Sequence, residues 1–336
     1  MSVTRTTTNA PGQIRFRAAA DPCADETLLE HAQHTVTDTI EEVKESLTHL
    51  WDEIPHWQRD NCYIRRGYVK ETRCVKKTIK ALGFVHNETV NIYSHLIPAL
   101  TTFVGGVAVY GLGTYLNVGL PVYPTTTWKD HGVFILFMFG IVSCLGMSAT
   151  FHCIKCHSEQ VARKGNQLDY LGIVSLVVSS MFGIIFYGYD HGDYERWLYW
   201  GLTFSLGTIC ACVSLMKKFH TSEWRPFRAL MFVLFGLSGG FPVIHACFRF
   251  GYADTVLRIQ LPWILLEAAS YIGGAAIYAA RVPEKWSPGT FDIIGSSHQI
   301  FHMCVVLGVI LHWIALLGTY HAYHGWALSQ SSIFYR

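Results

Sequence analysis

Long runs of apolar residues, separated by short polar connections, are the main feature of this sequence. The runs lack the strict alternation of polar and apolar positions that marks a half-buried strand. They also lack the regularly spaced polar positions of a soluble amphipathic helix. Each contains 19 to 27 residues, enough for a helix rising 1.5 Å per residue to cross roughly 30 Å of hydrocarbon. The pattern therefore predicts an all-α fold, a seven-transmembrane helix bundle. The seven runs are 90–116, 131–153, 166–189, 197–216, 229–247, 261–280 and 298–320.

Composition agrees with a membrane location. The chain is 51% hydrophobic and only 15% charged, which is poorer in charge than an ordinary soluble domain. Asp169 and Glu267 are the only formally charged residues inside the seven runs. Glycines and prolines in the runs do not forbid helices, because neighbouring helices satisfy the freed backbone groups. We expect a multi-pass integral membrane protein of the plasma membrane or the endoplasmic reticulum.

Lysine and arginine are distributed unevenly between the two sides of the predicted bundle. Residues 65–80, just before the first run, and the even-numbered connections carry sixteen of them, against five on the other side. Because Lys and Arg are enriched on the cytosolic side of membrane proteins, the N-terminus is predicted to be cytosolic and the C-terminus to lie outside. This orientation is the reverse of that of G-protein-coupled receptors.

The first ninety residues are polar and form two predicted regions. Residues 1–25 contain no apolar stretch that resembles a signal sequence and are expected to be disordered. Residues 26–89 are expected to be cytosolic, with an amphipathic helix followed by a basic juxtamembrane segment, 65–80, near anionic headgroups. The helix packs on the bundle or the membrane surface, or alternatively binds a partner. Its apolar stripe consists of Val36, Ile40, Val43, Leu47 and Leu50. Residues 90–320 form the predicted bundle and 321–336 a short extracytosolic tail.

Polar residues on three spans share one predicted depth near the cytosolic face. The second span ends at His152, Asp169 lies near the start of the third, and the seventh begins with His298 and His302. Residues four apart lie one above the other on a helix, so His298 and His302 point the same way, as do Ser148 and His152. Ionisable groups are costly inside a membrane and tend to be functional. These residues are therefore a candidate site.

Three neutral imidazoles suit a tetrahedral Zn²⁺ ion whose fourth position is held by water with a pKa near 7. Asp169 is then expected to act as a general base or to orient a ligand. Ser148 is expected to donate to a substrate carbonyl, or alternatively to bond to its own helix backbone.

Other candidate residues are given structural roles. Cys153 and Cys156 form a Cys-x2-Cys pair, but a zinc knuckle needs a second pair and none is apparent. Glu267 is expected to pair with a residue of another span. Single histidines in spans are interpreted as hydrogen-bonded packing residues. These are His95, His245 and His312.

Five segments carry a resemblance to a known family. They are "LWDEIPHWQRDNCYIRRGY" (50–68), "HNETVNIYSHL" (86–96), "SATFHC" (148–153), "QLDYLGI" (167–173) and "VPEKWSPGTFDIIGSSHQIFH" (282–302). Together they resemble the progestin and adiponectin receptor family, which includes haemolysin III-like proteins and fungal regulators of zinc and lipid homeostasis.

The resemblance implies a seven-helix fold with a cytosolic N-terminus. It also implies a zinc ion held by His152, His298 and His302, with Asp169 near the metal-bound water. For some members it implies ceramidase-like amide hydrolysis, and for others ligand-responsive signalling.

Three functions are therefore open: a zinc-dependent lipid amidase, a lipid- or sterol-responsive receptor with a structural zinc, and a zinc transporter or homeostasis regulator. The transporter is least favoured, because no relay of acids crosses the bilayer. The expected partners are a membrane lipid of the ceramide, fatty acid or sterol-like class, a second copy of the chain in a homodimer, and a cytosolic signalling protein bound to the N-terminal region. No nucleic-acid partner is expected.

Overall fold

The computed structural model describes residues 48–111, 120–189, 193–220 and 222–333. Within them, β structure is limited to one isolated antiparallel bridge between His49 and Tyr68. Seven helical segments in the described ranges are long and apolar enough to cross a membrane, which confirms the predicted all-α bundle. In chain order the helices are α1 Val75–Lys80, α2 Thr89–Gly111, α3 Trp128–Ile154, α4 Glu159–Gly188, α5 Asp193–Leu215, α6 Arg225–Leu237, α7 Gly240–Phe250, α8 Tyr252–Arg258, α9 Leu261–Ala280 and α10 Ser297–Ile333.

The connection between α3 and α4 is shorter than the sequence indicates. The predicted runs 131–153 and 166–189 leave a connection of about a dozen residues, 154–165, but α4 already begins at Glu159, with Ser158 in extended conformation before it. The expectation was wrong because hydropathy marks only the apolar part of a helix. The first turns of α4 are polar but rich in good helix formers, so they extend the helix beyond the apolar run.

The fifth predicted span is broken into α6 and α7. Helix α6 ends at Leu237 and α7 begins at Gly240. Glycine is a poor helix former, and Pro242 lacks the N–H that would continue the ladder. The Tyr189 hydroxyl donates to the carbonyl oxygen of Pro242 at 2.5 Å, so a side chain from the end of α4 is bound close to the break.

The centre of the bundle is built on α3, α4 and α10. Its fully buried side chains include Phe134, Phe137, Leu145 and Leu316. Helices α3 and α4 approach closely because Gly172 faces α3: a Cβ there would lie 2.9 Å from the Cα of Cys144. Small residues at such crossings allow the backbones to meet, and this crossing lies three residues from Asp169.

Residues 48–74, called here the cap segment, are irregular and lie at one end of the bundle. They have a small apolar cluster of Ile54, Ile64 and Tyr68, against which Trp51 packs. Of the predicted amphipathic stripe, Val36 to Leu47 lie outside the described residues. Leu50 is exposed and not helical, so the stripe does not reach it.

Backbone hydrogen bonds attach the cap segment to the bundle. The amides of Thr72 and Arg73 donate to the carbonyl oxygens of Cys156 and His157, in the connection from α3 to α4, at 3.0 and 2.9 Å. The cap segment therefore lies at the end of the bundle where α3 ends and α10 begins.

Candidate metal centre

Three histidine rings converge at the end of α3 and the start of α10. The ring centroids of His152, His298 and His302 lie 4.8 to 5.0 Å apart. His152 and His302 are buried and His298 is half-buried. Each offers one nitrogen, and these nitrogens lie within 4.8 Å of one another. Among the described residues, this is the one group of three or more His, Cys, Asp or Glu side chains arranged to hold a metal ion.

The tautomer of His152 is set by a carboxylate. Its Nδ1 lies 2.7 Å from Oε2 of Glu88, and because an ionised carboxylate only accepts, Nδ1 must carry the proton. The Nε2 atom then has a free lone pair. It is buried without a hydrogen-bond partner in the described protein, which is unusual for a polar atom and is the state required of a metal ligand.

His302 is oriented in the same way by the backbone. Its Nδ1 lies 3.1 Å from the carbonyl oxygen of Asn91 and 3.2 Å from the Ser94 hydroxyl. Because a carbonyl only accepts, Nδ1 carries the proton and Nε2 is left with its lone pair. Both contacts come from α2, so α2 orients a candidate ligand that α10 supplies, and Glu88, just before α2, orients the one from α3.

The residues present fit a metal ion. Two nitrogens that are each 2.0–2.1 Å from one zinc lie at most about 4.2 Å apart, and the observed upper limit is 4.8 Å. Movements of the imidazole rings by less than 1 Å would bring the nitrogens within this distance. Three nitrogen ligands leave the fourth tetrahedral position open, so the site can bind both an ion and a further oxygen ligand.

Asp169 and Ser148 lie beside the three histidines but are not part of the ligand group. Ser148 is buried and its hydroxyl hydrogen-bonds to the Asp169 carboxylate. Asp169 is only half-buried by accessible surface, because its side chain lines an internal cavity. Ser148 therefore has a side-chain partner rather than only its own helix backbone.

Glu88 is the main residue that the sequence interpretation missed. Its carboxylate accepts from His152, from Asn91 Nδ2 at 2.6 Å and from Lys155 Nζ at 2.8 Å. Burial raises the pKa of Glu88, but Lys155 and His152 outweigh burial and hold that pKa well below its usual range. The sequence feature that could have identified Glu88 is its position: it is a carboxylate one residue before a span, at the same end of the bundle as the histidines.

The remaining candidates have structural partners. Glu267 accepts from His312 Nδ1 at 2.8 Å, as expected for a carboxylate paired across spans, and His245 bonds to Tyr199 at 2.8 Å. His95 differs from expectation. Its ring stacks on His302 with centroids 3.7 Å apart, and neither of its nitrogens has a hydrogen-bond partner in the described residues.

Cys153 and Cys156 are free thiols. The Cys156 thiol contacts the Cys153 carbonyl oxygen at 3.8 Å. Burial raises the pKa of Cys156 to about 11, which disfavours the thiolate that zinc needs. The pair joins no three-residue ligand group in the described ranges.

A cavity of about 370 Å³ extends from the histidines into the apolar interior. This volume lies within the roughly 300–1,000 Å³ of typical ligand sites. His298, His302, Ser148 and Asp169 line one end, and its other walls are mostly apolar. Such a cavity is suited to a ligand that is largely apolar and has a polar group at one end.

Comparison with known proteins gives consistent matches. The profile of the family described as Haemolysin-III related matches residues 84–313. The chain is 47% identical over 274 residues to the "ADIPOR-like receptor IZH2" of Saccharomyces cerevisiae, covering 82% of this chain and 84% of that protein. It is 39% identical over 298 residues to the "ADIPOR-like receptor IZH1" of Eremothecium gossypii, covering 88% and 92%. It is 36% identical over 260 residues to the "Adiponectin receptor protein" of Drosophila melanogaster, covering 77% and 56%.

Proposed function

Because this chain belongs to the Haemolysin-III related family and resembles its ADIPOR-like receptors over most of its length, we propose that it is a zinc-dependent lipid amidase of the ceramidase type. The observation that carries the proposal is the pairing of an open three-histidine site with the Asp169 carboxylate at the end of an apolar cavity. A closed structural zinc site has four protein ligands and needs no cavity.

The donor set favours zinc. Three imidazoles without a thiolate or a ligating carboxylate are the ligands of a catalytic zinc site. When bound, zinc polarises a carbonyl oxygen and lowers the pKa of bound water to about 7. Glu88 and the Asn91 carbonyl keep His152 and His302 in the tautomer that presents Nε2, an arrangement that raises ligand basicity.

Asp169 is the general base of the proposed reaction. Water attacks the amide carbonyl carbon, its proton passes to the Asp169 carboxylate, and the C–N bond breaks. The proton then moves from Asp169 to the departing nitrogen, so one amide and one water give a fatty acid and an amine. The Ser148 hydroxyl hydrogen-bonds to Asp169 and holds this carboxylate toward the reacting atoms.

The cavity supports a lipid as the substrate class. Its walls are contributed mainly by α3, α4, α6, α7, α9 and α10 and are mainly apolar. A long acyl chain is therefore favoured over a soluble amide, and ceramide is the proposed substrate. The positive-inside distribution of Lys and Arg supports a reacting end at the cytosolic face.

Turnover of a fluorescent ceramide by purified protein in detergent tests the proposal. We expect release of labelled fatty acid, loss of release when a chelator removes the metal, and recovery on adding zinc. The Cys153→Ser, Cys156→Ser double variant is the matched control and should hydrolyse ceramide like the wild type. Turnover that survives complete removal of metal would contradict the proposal.

A receptor with a structural zinc is the second candidate, favoured by the names of the relatives, which call them receptors. In that case, the cavity binds a lipid or sterol whose presence shifts the packing of the spans. Lipid binding to purified protein, without any hydrolysis at saturating zinc, would favour this candidate over the amidase.

A further inference from the structure

Two adjacent residues of the cap segment, Asp60 and Asn61, are each linked to the metal centre. The first link starts at Asp60, whose Oδ2 lies 3.4 Å from Lys155 Nζ. Lys155 also donates to Glu88 at 2.8 Å, and Glu88 accepts from His152 Nδ1. A chain of three polar contacts therefore runs from the cap segment to one metal ligand.

The second link starts at Asn61 and ends beside a different ligand. Asn61 Nδ2 donates to Oε1 of Glu284 at 3.1 Å. Glu284, which is completely buried, accepts from the Ser297 backbone amide at 2.7 Å and from the Ser297 hydroxyl. Ser297 is the first residue of α10, and the next residue is His298. A carboxylate at a helix N-terminus satisfies an otherwise unpaired amide and is stabilised by the helix dipole.

A third contact anchors the same dipeptide. Arg281 Nη2 donates to the carbonyl oxygen of Asp60 at 2.8 Å. Residues 60 and 61 are therefore bonded both to the connection after α3 and to the connection from α9 to α10. Each of these connections is adjacent to a metal ligand, His152 in one case and His298 in the other.

We propose that Asn61, together with Asp60, is a positioning residue that fixes His152 and His298 relative to each other. The inference rests on the proposed function, because it takes these histidines as ligands of zinc. The cap segment then sets how tightly the metal is held, and its displacement loosens two of the three ligands at once.

The two links are expected to contribute unequally to zinc binding. Asp60 is 58% exposed, and an exposed ion pair contributes little. Asn61 instead bonds to a fully buried carboxylate that must keep its partners, since a buried charge without them is costly. The Asn61 link is therefore expected to dominate, and Asn61→Ala should have a larger effect than Asp60→Ala.

Zinc affinity of purified variants, measured by competition with a chelator, tests the proposal. We expect Asn61→Ala to bind zinc roughly 2- to 30-fold more weakly than the wild type, the range of couplings carried through packed networks. Asp52→Ala is the matched control. It removes a carboxylate from the same segment, and Asp52 bonds to Arg59 only through its backbone carbonyl, so zinc affinity should be unchanged.

A double-mutant cycle distinguishes an effect of Asn61 through Glu284 from a general loosening of the cap segment. If Asn61 acts through Glu284, the Asn61→Ala, Glu284→Gln variant should bind zinc no more weakly than Glu284→Gln alone. Additive losses would overturn the proposal, as would an unchanged affinity in Asn61→Ala.

Hydrogen exchange at the Ser297 amide is a second readout that needs no metal. Asn61→Ala should speed this exchange and Asp52→Ala should not. If the purified protein held no zinc, the proposed function would fail, while the exchange rates would still decide the positioning role of Asn61.

Discussion

Glu88 and His152 are 64 residues apart in the chain, yet Oε2 of Glu88 lies 2.7 Å from Nδ1 of His152. Glu88 precedes α2 and His152 lies near the end of α3. This contact fixes the tautomer of the imidazole and leaves Nε2 directed at the other two histidines. Lys155 binds the second oxygen of the same carboxylate and keeps it ionised.

The first prediction concerns Glu88→Gln. The amide removes the negative charge that stabilises the Nδ1–H tautomer of His152 and that pairs with Lys155. We expect zinc affinity to fall about 10- to 100-fold, as is typical when the partner of a ligand histidine is changed. Chelator competition measures this. Glu159→Gln, which changes an exposed carboxylate paired with Arg163, should leave the affinity unaltered, and an equal loss in both variants would count against the role of Glu88.

The second prediction concerns the metal ligands. Changing any one of His152, His298 or His302 to Ala should remove roughly one equivalent of zinc from purified protein, because a three-ligand site seldom tolerates the loss of a ligand. Metal analysis provides the readout. The Cys153→Ser, Cys156→Ser double variant should retain the metal, and the opposite result would move the site to the cysteines.

The third prediction concerns the crossing of α3 and α4. A Cβ at Gly172 would lie 2.9 Å from the Cα of Cys144, whereas a Cβ at Gly146 would meet nothing within 4 Å. Gly172→Ala must push the two helices apart, at a cost of about 1–3 kcal/mol. Gly146→Ala adds a better helix former without a clash and should be neutral or slightly stabilising. Thermal unfolding in detergent compares the two, and equal melting temperatures would refute the argument.

The fourth prediction concerns orientation. The sixteen-to-five distribution of Lys and Arg predicts a cytosolic N-terminus. A tag before Arg65 should be protected from protease in intact cells, and a tag after Tyr320 should be cleaved. The reverse pattern would place the three histidines at the outer face.

The number and order of the spans were predictable because each span contains an apolar run long enough to cross the bilayer. The start of α4 was not predictable, because its first turns are polar and helical, and hydropathy does not report helical structure outside the membrane. The break between α6 and α7 was also missed, since glycine and proline are tolerated within spans and do not by themselves specify a break.

The proximity of His298 and His302 follows from their four-residue spacing on one helix. Their proximity to His152 followed from topology, since α3 ends where α10 begins. The Glu88 and Asn61 contacts were not predictable, because each joins residues of separate segments through tertiary packing, and no spacing along the chain encodes such a contact.

The last prediction concerns Asp169→Asn. The side chain keeps its size and can still hydrogen-bond to Ser148, and Asp169 is outside the group of ligand nitrogens. The variant should therefore fold and retain zinc. An amide oxygen does not accept a proton near neutral pH, so the general-base contribution, typically about 10²–10⁴-fold, should be lost from ceramide turnover.

Zinc content and turnover of the same Asp169→Asn preparation decide between three roles for this carboxylate. Retained zinc with lost turnover is the expected result. Loss of zinc would make Asp169 a ligand and the site closer to a structural one. Full turnover would make the carboxylate a bystander, and the proton would then have to be accepted by another group lining the cavity. Asn166→Ala is the matched control, since Asn166 lines the cavity one turn earlier on α4 and has no part in the proposed proton transfer; it should keep both zinc and turnover.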